Sequence, residues 1–267
     1  MTDPGQRNAR YWDATADAYR SATRISTHDF HYGPLLPGDA ELRLLPADLA
    51  GRRCLEIGAG AGQNSIYLAS GGAHCVALDI SARQIEHGEK LAAMSGTRVA
   101  FQVADMDRLP TDALGAFDLV HSTYALPFSS DPGTMIRDCG RVLRPGGIFL
   151  LTTSHPAYAG DWIELEHGEE GVLLHDYFRP GFDRREADDC HEGARSDTHM
   201  LSTVAEWLRS GNFTIDRLLE PEPLPIPSMT EEEILHRVPY DSPEWRELYP
   251  VLAKVPTVAV FRCIRNT

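Results

Sequence analysis

Basic residues are scarce in this chain of 267 residues: 25 lysines and arginines stand against 39 aspartates and glutamates, a formal net charge of −14. A protein that tracks a nucleic-acid backbone needs a basic face. Arg52-Arg53 and Arg184-Arg185 are too little for one, so no nucleic-acid partner is expected, and a small neutral or cationic one fits better. Cysteine is scarce too, five residues with no C-x-x-C pair, which argues against a disulfide framework and for reduced thiols in a cytoplasmic protein. Cys54, Cys75 and Cys263 read as small core residues. Cys190-His191 has no second pair at zinc spacing, so no metal is expected. No apolar run approaches the roughly 20 residues of a membrane span, and the opening MTDPGQRNAR lacks the apolar core of a signal peptide.

A further absence is a single glycine. Arg53-Cys54-Leu55-Glu56-Ile57 is a short, mainly apolar run that breaks into Gly58, Gly60 and Gly62 and continues into Ile66, Leu68 and Ala69. That order reads as strand, tight turn and helix N-terminus, a nucleotide-binding arrangement in an open α/β sheet. The dinucleotide pattern G-x-G-x-x-G needs its third glycine at position 63, where Gln63 stands. What is present is E-x-G-x-G-x-G, and it resembles motif I of the class I S-adenosylmethionine (SAM) dependent methyltransferases. The resemblance implies that Glu56 handles the ligand's ammonium and that Gly58, Gly60, Gly62 and Gln63 form the turn.

The following signatures stand in the same order as in that family. Asp79 closes the next strand 21 residues after Gly58, where a carboxylate can accept from two vicinal ribose hydroxyls; Ile80 and Gln84 beyond it join the cofactor-binding candidates. By resemblance, Asp105 accepts from the adenine amino group and Met106 packs on the ring. The segment F-D-L-V-H-S-T-Y from Phe117 resembles motif IV, which puts Ser122 and Tyr124 beside the sulfonium. R-V-L-R-P-G-G from Arg141 resembles the family's turn into strand five. The resemblance covers about residues 50–155.

Strands over 53–58, 74–79, 98–103, 116–121 and 147–153 alternate with helices over 62–71, 81–95 and 131–143. The last two strands fall at 213–220 and 255–264, after a helix over 198–210. The expected fold is α/β, a Rossmann-like doubly wound seven-stranded sheet with an antiparallel last strand. Residues 1–50 read as an N-terminal cap, 51–154 as the SAM-binding core and 155–197 as an inserted acidic lid. Residues 198–267 return to the same sheet, with a Pro-rich insertion at 221–250 that holds short helices near 231–237 and 243–249. Between Asp161 and Glu192 the lid holds eleven acids against three arginines, a charge that reads mostly as a solvated face.

In the cap, a helix over 7–22 carries Tyr11, Thr15 and Tyr19 on one face, with Trp12 and Ala16 beside them. It either buries aromatics or covers the pocket and points a tyrosine into it; the two are compatible. Residues 26–38 read as a loop whose His28, His31 and Tyr32 look functional, and residues 39–50 as a helix. Tyr11 and Tyr32 join the cofactor-binding candidates.

Methyl transfer is an in-line displacement that depends mainly on positioning, and a base matters only where the acceptor must lose a proton. His155, His31, Tyr32 and Tyr19 are the catalytic candidates, with His28 a further possible base. The F-H-Y-G-P-L-L-P-G loop and the S-H-P after strand five look like actinobacterial methyltransferases of specialised metabolism. That likeness implies a small aromatic or heterocyclic acceptor, indole-type included, methylated at N, C or O, with S-adenosylhomocysteine as product. A non-catalytic SAM-binding protein and a methyltransferase acting on a protein or other macromolecule are the alternatives. Monomer and homodimer stay open.

Overall fold

The computed structural model describes residues 4–267 except 165–166, 175, 180 and 188–189. In chain order it forms α1 (Pro4–Ala22), α2 (Asp39–Leu42), β1 (Arg53–Ile57), α3 (Gln63–Ser70), β2 (His74–Asp79), α4 (Ala82–Ser95) and β3 (Val99–Val103). Next come α5 (Thr111–Leu114), β4 (Phe117–Thr123), α6 (Pro132–Val142) and β5 (Leu143–Ser154). After two hairpins, β6 (Asp161–Glu164) with β7 (Glu170–Leu173) and β8 (Phe182–Ala187) with β9 (Cys190–Asp197), follow α7 (Leu201–Ser210) and β10 (Phe213–Leu219). The chain ends with α8 (Glu231–Arg237), α9 (Pro243–Leu252) and β11 (Val258–Arg265).

Seven strands make one sheet in the order β10-β11-β5-β4-β1-β2-β3, with β11 antiparallel to both neighbours. The chain runs outward from β1 to β3 and then crosses back to β4. That reversal opens a crevice at the C-terminal ends of β1 and β4, where open α/β sheets bind ligands. Because successive strand residues face opposite ways, the sheet has two apolar faces. Leu55, Ile57, Phe117, Phe149 and Phe261 pack with Met135 and Leu208 on one side. Cys54, Cys75, Leu119 and Val260 pack with Leu68, Phe30 and Tyr32 on the other.

Several expectations need correction. The expected helix over 39–50 is one turn, because Arg43 adopts a left-handed φ of 52° and ends it. The Asp39 carboxylate then takes the amides of Leu44 and Leu45, at 2.7 and 3.1 Å, and Pro46 disfavours helix at the residue before it. R-V-L-R-P-G-G is no separate turn, since strand β5 already begins at Leu143 and bulges out before it resumes pairing at Ile148. The segment 155–197 forms two hairpins, and β9 lies along α1, with Ala194 buried against Tyr11 and Phe128. This second hairpin therefore backs the cap helix. His175 and the side chains of Cys190 and His191 lie outside the described residues.

Helix α1 is tied to the sheet through its acids. Ser81, the N-cap of α4, accepts from Gln84 N and donates its hydroxyl to Asp13 at 2.6 Å. Asp13 also accepts from Arg83 N at 3.1 Å, and Asp17 pairs with Arg83 and His87. An exposed ion pair adds little, whereas the Asp13–Ser81 bond is partly buried and serves a helix cap. Asp13→Ala should lower the unfolding free energy by about 1–2 kcal/mol in urea denaturation and speed amide exchange along α1.

Candidate active site

The crevice is a single cavity of about 270 Å³ reached by residues from nearly every segment at that end of the sheet. Its floor is the turn after β1. Gly58 has a φ of 67°, and a Cβ there would lie 2.3 Å from the Ala125 methyl, so only glycine fits. Gly60 also lines the cavity, at a left-handed φ of 55° that favours glycine, with no protein atom within 4 Å of where a Cβ would stand. Gly62 does not line the cavity; it lies against the Phe101 ring, 2.6 Å from where its Cβ would stand, and its role is packing.

Two buried carboxylates hold this floor. Asp79 accepts from Gly60 N at 2.7 Å and from Ser81 N at 2.9 Å, which fixes the turn and leaves lone pairs toward the cavity. Burial pushes its carboxyl above the usual range, against the pull of those bonds. Glu56 Oε2 accepts from both Ser65 N (3.0 Å) and Ser65 Oγ (2.6 Å), while His121 Nδ1 stands 3.8 Å from Oε1. Burial pushes the Glu56 carboxyl up to about 7.

Ile80, Gln63, Gln84, Asp105 and Met106 line the same cavity. Asp105 caps the turn at Met106–Arg108 through Asp107 N, at 3.0 Å. Tyr124 also lines it, from an unusual left-handed φ of 59°, its amide held by Thr152.

Other candidates fall elsewhere. Ser122 is wholly buried and points to the opposite face of β4; Thr123, one residue on, lines the cavity. Tyr32 is a core residue whose hydroxyl donates to Asp39 at 2.6 Å. Tyr11 packs with Phe128 and Ala194, and its neighbour Trp12 takes the wall position. His28 is exposed on the loop. His155 is occupied at both ring nitrogens: Nδ1 accepts from Ala157 N (3.0 Å), so Nε2 is the protonated nitrogen and donates to Glu220 (2.7 Å). It caps the turn at Pro156–Ala159 and does not line the cavity.

His31, from the 26–38 loop, and Tyr19, from α1, do line it. Burial lowers the His31 imidazole to about 4, so the ring is neutral at physiological pH. Around it stand residues that sequence reasoning did not single out: Tyr158, Tyr240 and Trp245. Tyr240 lies 6.5 Å from the His31 ring and 5.7 Å from Trp245, and its hydroxyl meets that of Tyr19 at 2.5 Å. Tyr240 and Trp245 belong to the Pro-rich insertion at 221–250. Asn8, Asn64, Thr123 and Arg20 were also missed. Arg20 is the lining residue with a guanidinium, and no carboxylate pairs with it among the described residues.

Residues 55–151 match the family model for a methyltransferase domain. The ubiquinone biosynthesis O-methyltransferase of Xanthomonas oryzae pv. oryzae is 34% identical over 106 residues, which are 40% of this chain and 44% of that protein. The chain thus spans less than half the length of this curated relative. A SAM-dependent methyltransferase from Mesorhizobium loti is 25% identical, superposes with a TM-score of 0.64, and covers 85% of this chain and 96% of its own. Residues 55–151 form a class I SAM-dependent methyltransferase domain. The [4+2]-cyclase SpnF, at 20% identity and a TM-score of 0.60 over 98% of this chain, shares the fold alone.

The cavity's own geometry fits SAM. Glu56 and Asp79 offer buried acceptors to an ammonium and to hydroxyls, and the buried Asn8 Oδ1 has no partner. Among the described residues, no cluster of three or more His, Cys, Asp or Glu could hold a metal, and no helix is long and apolar enough to cross a membrane.

A carboxyl raised to about 7 makes affinity for an ammonium ligand depend on pH. Below that value Glu56 is protonated and the ion pair is lost; above it the carboxylate is present. If Glu56 pairs with the ligand's ammonium, S-adenosylhomocysteine should bind more tightly as pH rises from about 6 to about 8, by up to about tenfold, and level off above that. Calorimetry should show that slope in the native protein and its loss, with weaker binding, in Glu56→Gln.

Proposed function

We propose that the chain transfers a methyl group from SAM to a small aromatic or heterocyclic acceptor. The observation that carries this reading is one cavity lined both by the carboxylates Glu56, Asp79 and Asp105 and by a contacting cluster of rings, Tyr19, His31, Tyr240 and Trp245. When bound, SAM supplies an electrophilic methyl group on a sulfonium.

The residues then have distinct tasks. Glu56 holds the ammonium, Asp79 the ribose hydroxyls and Asp105 the adenine edge. Arg20 is placed to take the ligand's carboxylate, which a guanidinium can grip with two N–H groups. Tyr240 and Trp245 offer π faces that orient a flat acceptor and keep water from it. Neutral His31 presents a ring nitrogen that accepts a hydrogen bond from the acceptor's O–H or N–H and can take its proton. The relatives named as O-methyltransferases favour oxygen among the possible nucleophiles.

The test supplies SAM labelled in its methyl group with phenols, indoles and arylamines in one arm, and with bulk protein and RNA in another. Label in one small aromatic compound is the expected result. Label in macromolecules alone overturns the acceptor class, and no transfer despite S-adenosylhomocysteine binding overturns catalysis. With the labelled acceptor in hand, His31→Ala should lower kcat by about 10²-fold and leave the S-adenosylhomocysteine Kd nearly unchanged. Because His31 is neutral down to about pH 4, kcat at saturating SAM should show no histidine limb near pH 6.5.

A further inference from the structure

We propose that Asn64 is a positioning residue that sets His31 against the cofactor turn, a claim that rests on the role of His31 given above. Asn64 is the second residue of α3, directly after the glycine turn and Gln63, and its side chain is buried. Its Oδ1 accepts from His31 N at 2.7 Å. Its Nδ2 donates to His31 O at 2.9 Å and to Thr123 Oγ1 at 3.2 Å. Only this orientation of the carboxamide works, because the reverse sets NH₂ against the His31 N–H and oxygen against the His31 carbonyl.

No other group among the described residues bonds the His31 backbone. Neighbours on either side are fixed differently. Phe30 is buried edge-on to His121 at 5.1 Å, and Tyr32 is anchored through Asp39. Between these two anchors the chain could place residue 31 in more than one way. Asn64 removes that freedom by giving both backbone groups of His31 a partner whose position is set by the first turn of α3.

Thr123 extends the linkage. It ends β4 just before Tyr124, whose left-handed backbone turns the chain along the cavity. One buried carboxamide thus joins three segments that line the cavity: the cap loop, the cofactor turn and the end of β4. A misplacement of about 1 Å in such a constellation can cost about 10²-fold in rate. Asn64 is therefore expected to act on turnover through His31, with the cofactor held by other residues.

The experiment compares Asn64→Ala with the native protein, using S-adenosylhomocysteine as the ligand. Its Kd should change by less than about threefold, while exchange of the His31 amide should speed by at least about 30-fold. The His31 imidazole, followed by NMR, should titrate closer to its free value of about 6.5. With the acceptor returned by the labelling assay, the transfer rate should fall by about 10²-fold. In a His31→Ala background the same substitution should cost less than about twofold, the non-additivity expected of residues acting as one unit.

A Kd that weakens as much as the rate, a full second loss on top of His31→Ala, or unchanged His31 exchange each overturns the proposal. If Asn64→Ala does not fold, Asn64→Ser, which reaches at most one of the two backbone groups, carries the same comparisons. Should the native protein transfer no methyl group, exchange and titration still decide whether Asn64 positions His31.

Discussion

The buried carboxylate of Asp79 ties the ligand-binding turn to everything that closes over it. One oxygen holds Gly60 N and the other holds Ser81 N. Ser81 in turn caps α4 and binds Asp13 of the cap helix. Four consecutive hydrogen-bonded residues therefore run from the cavity floor to its roof. A shift in the glycine turn is felt at α1, and α1 carries Asn8, Trp12, Tyr19 and Arg20 into the cavity. The cost of burying Asp79 is offset because each oxygen already has a backbone donor.

The ring cluster in the cavity depends on segments far apart in the chain. The cap loop, the turn after β5 and the 240–245 segment all reach the cavity, and β11 returns antiparallel beside β5. Tyr19 and Tyr240 then touch through their hydroxyls, and Arg24 N bonds Pro239 O. The floor of the cavity is thus built by local turns of the sheet, and the ring cluster by tertiary closure, whose parts can vary without disturbing the sheet.

That division explains what could be read from the chain. Glu56, Gly58, Gly60, Asp79 and Asp105 sit at strand ends, where spacing along the sequence dictates position in space. Errors arose where a phase of one residue decides the outcome. Trp12 rather than Tyr11 faces the cavity, and Thr123 rather than Ser122, because a helix turns 100° and a strand 180° per residue. Tyr32 looked functional because a loop seldom holds such a residue; it is instead a core anchor for that loop. His155 showed the right position after β5, but its hydrogen bonds make it a cap. Tyr240 and Trp245 carry no local pattern, and their role exists only in the folded chain.

The electrostatics of the cavity disfavours a dinucleotide, as does Gln63 in the turn. Burial raises both Glu56 and Asp79, so the floor resists negative charge and gains from any cation placed over it. A dinucleotide brings a pyrophosphate to this turn, between two carboxylates that already lack solvation. SAM brings an ammonium, a sulfonium and hydroxyls, and Arg20 on α1 adds a guanidinium to the lining of the same cavity. Gln63 in place of a third glycine is then one sign of a broader difference. The turn is shaped by glycine, but the choice of ligand is made by the buried acids around it.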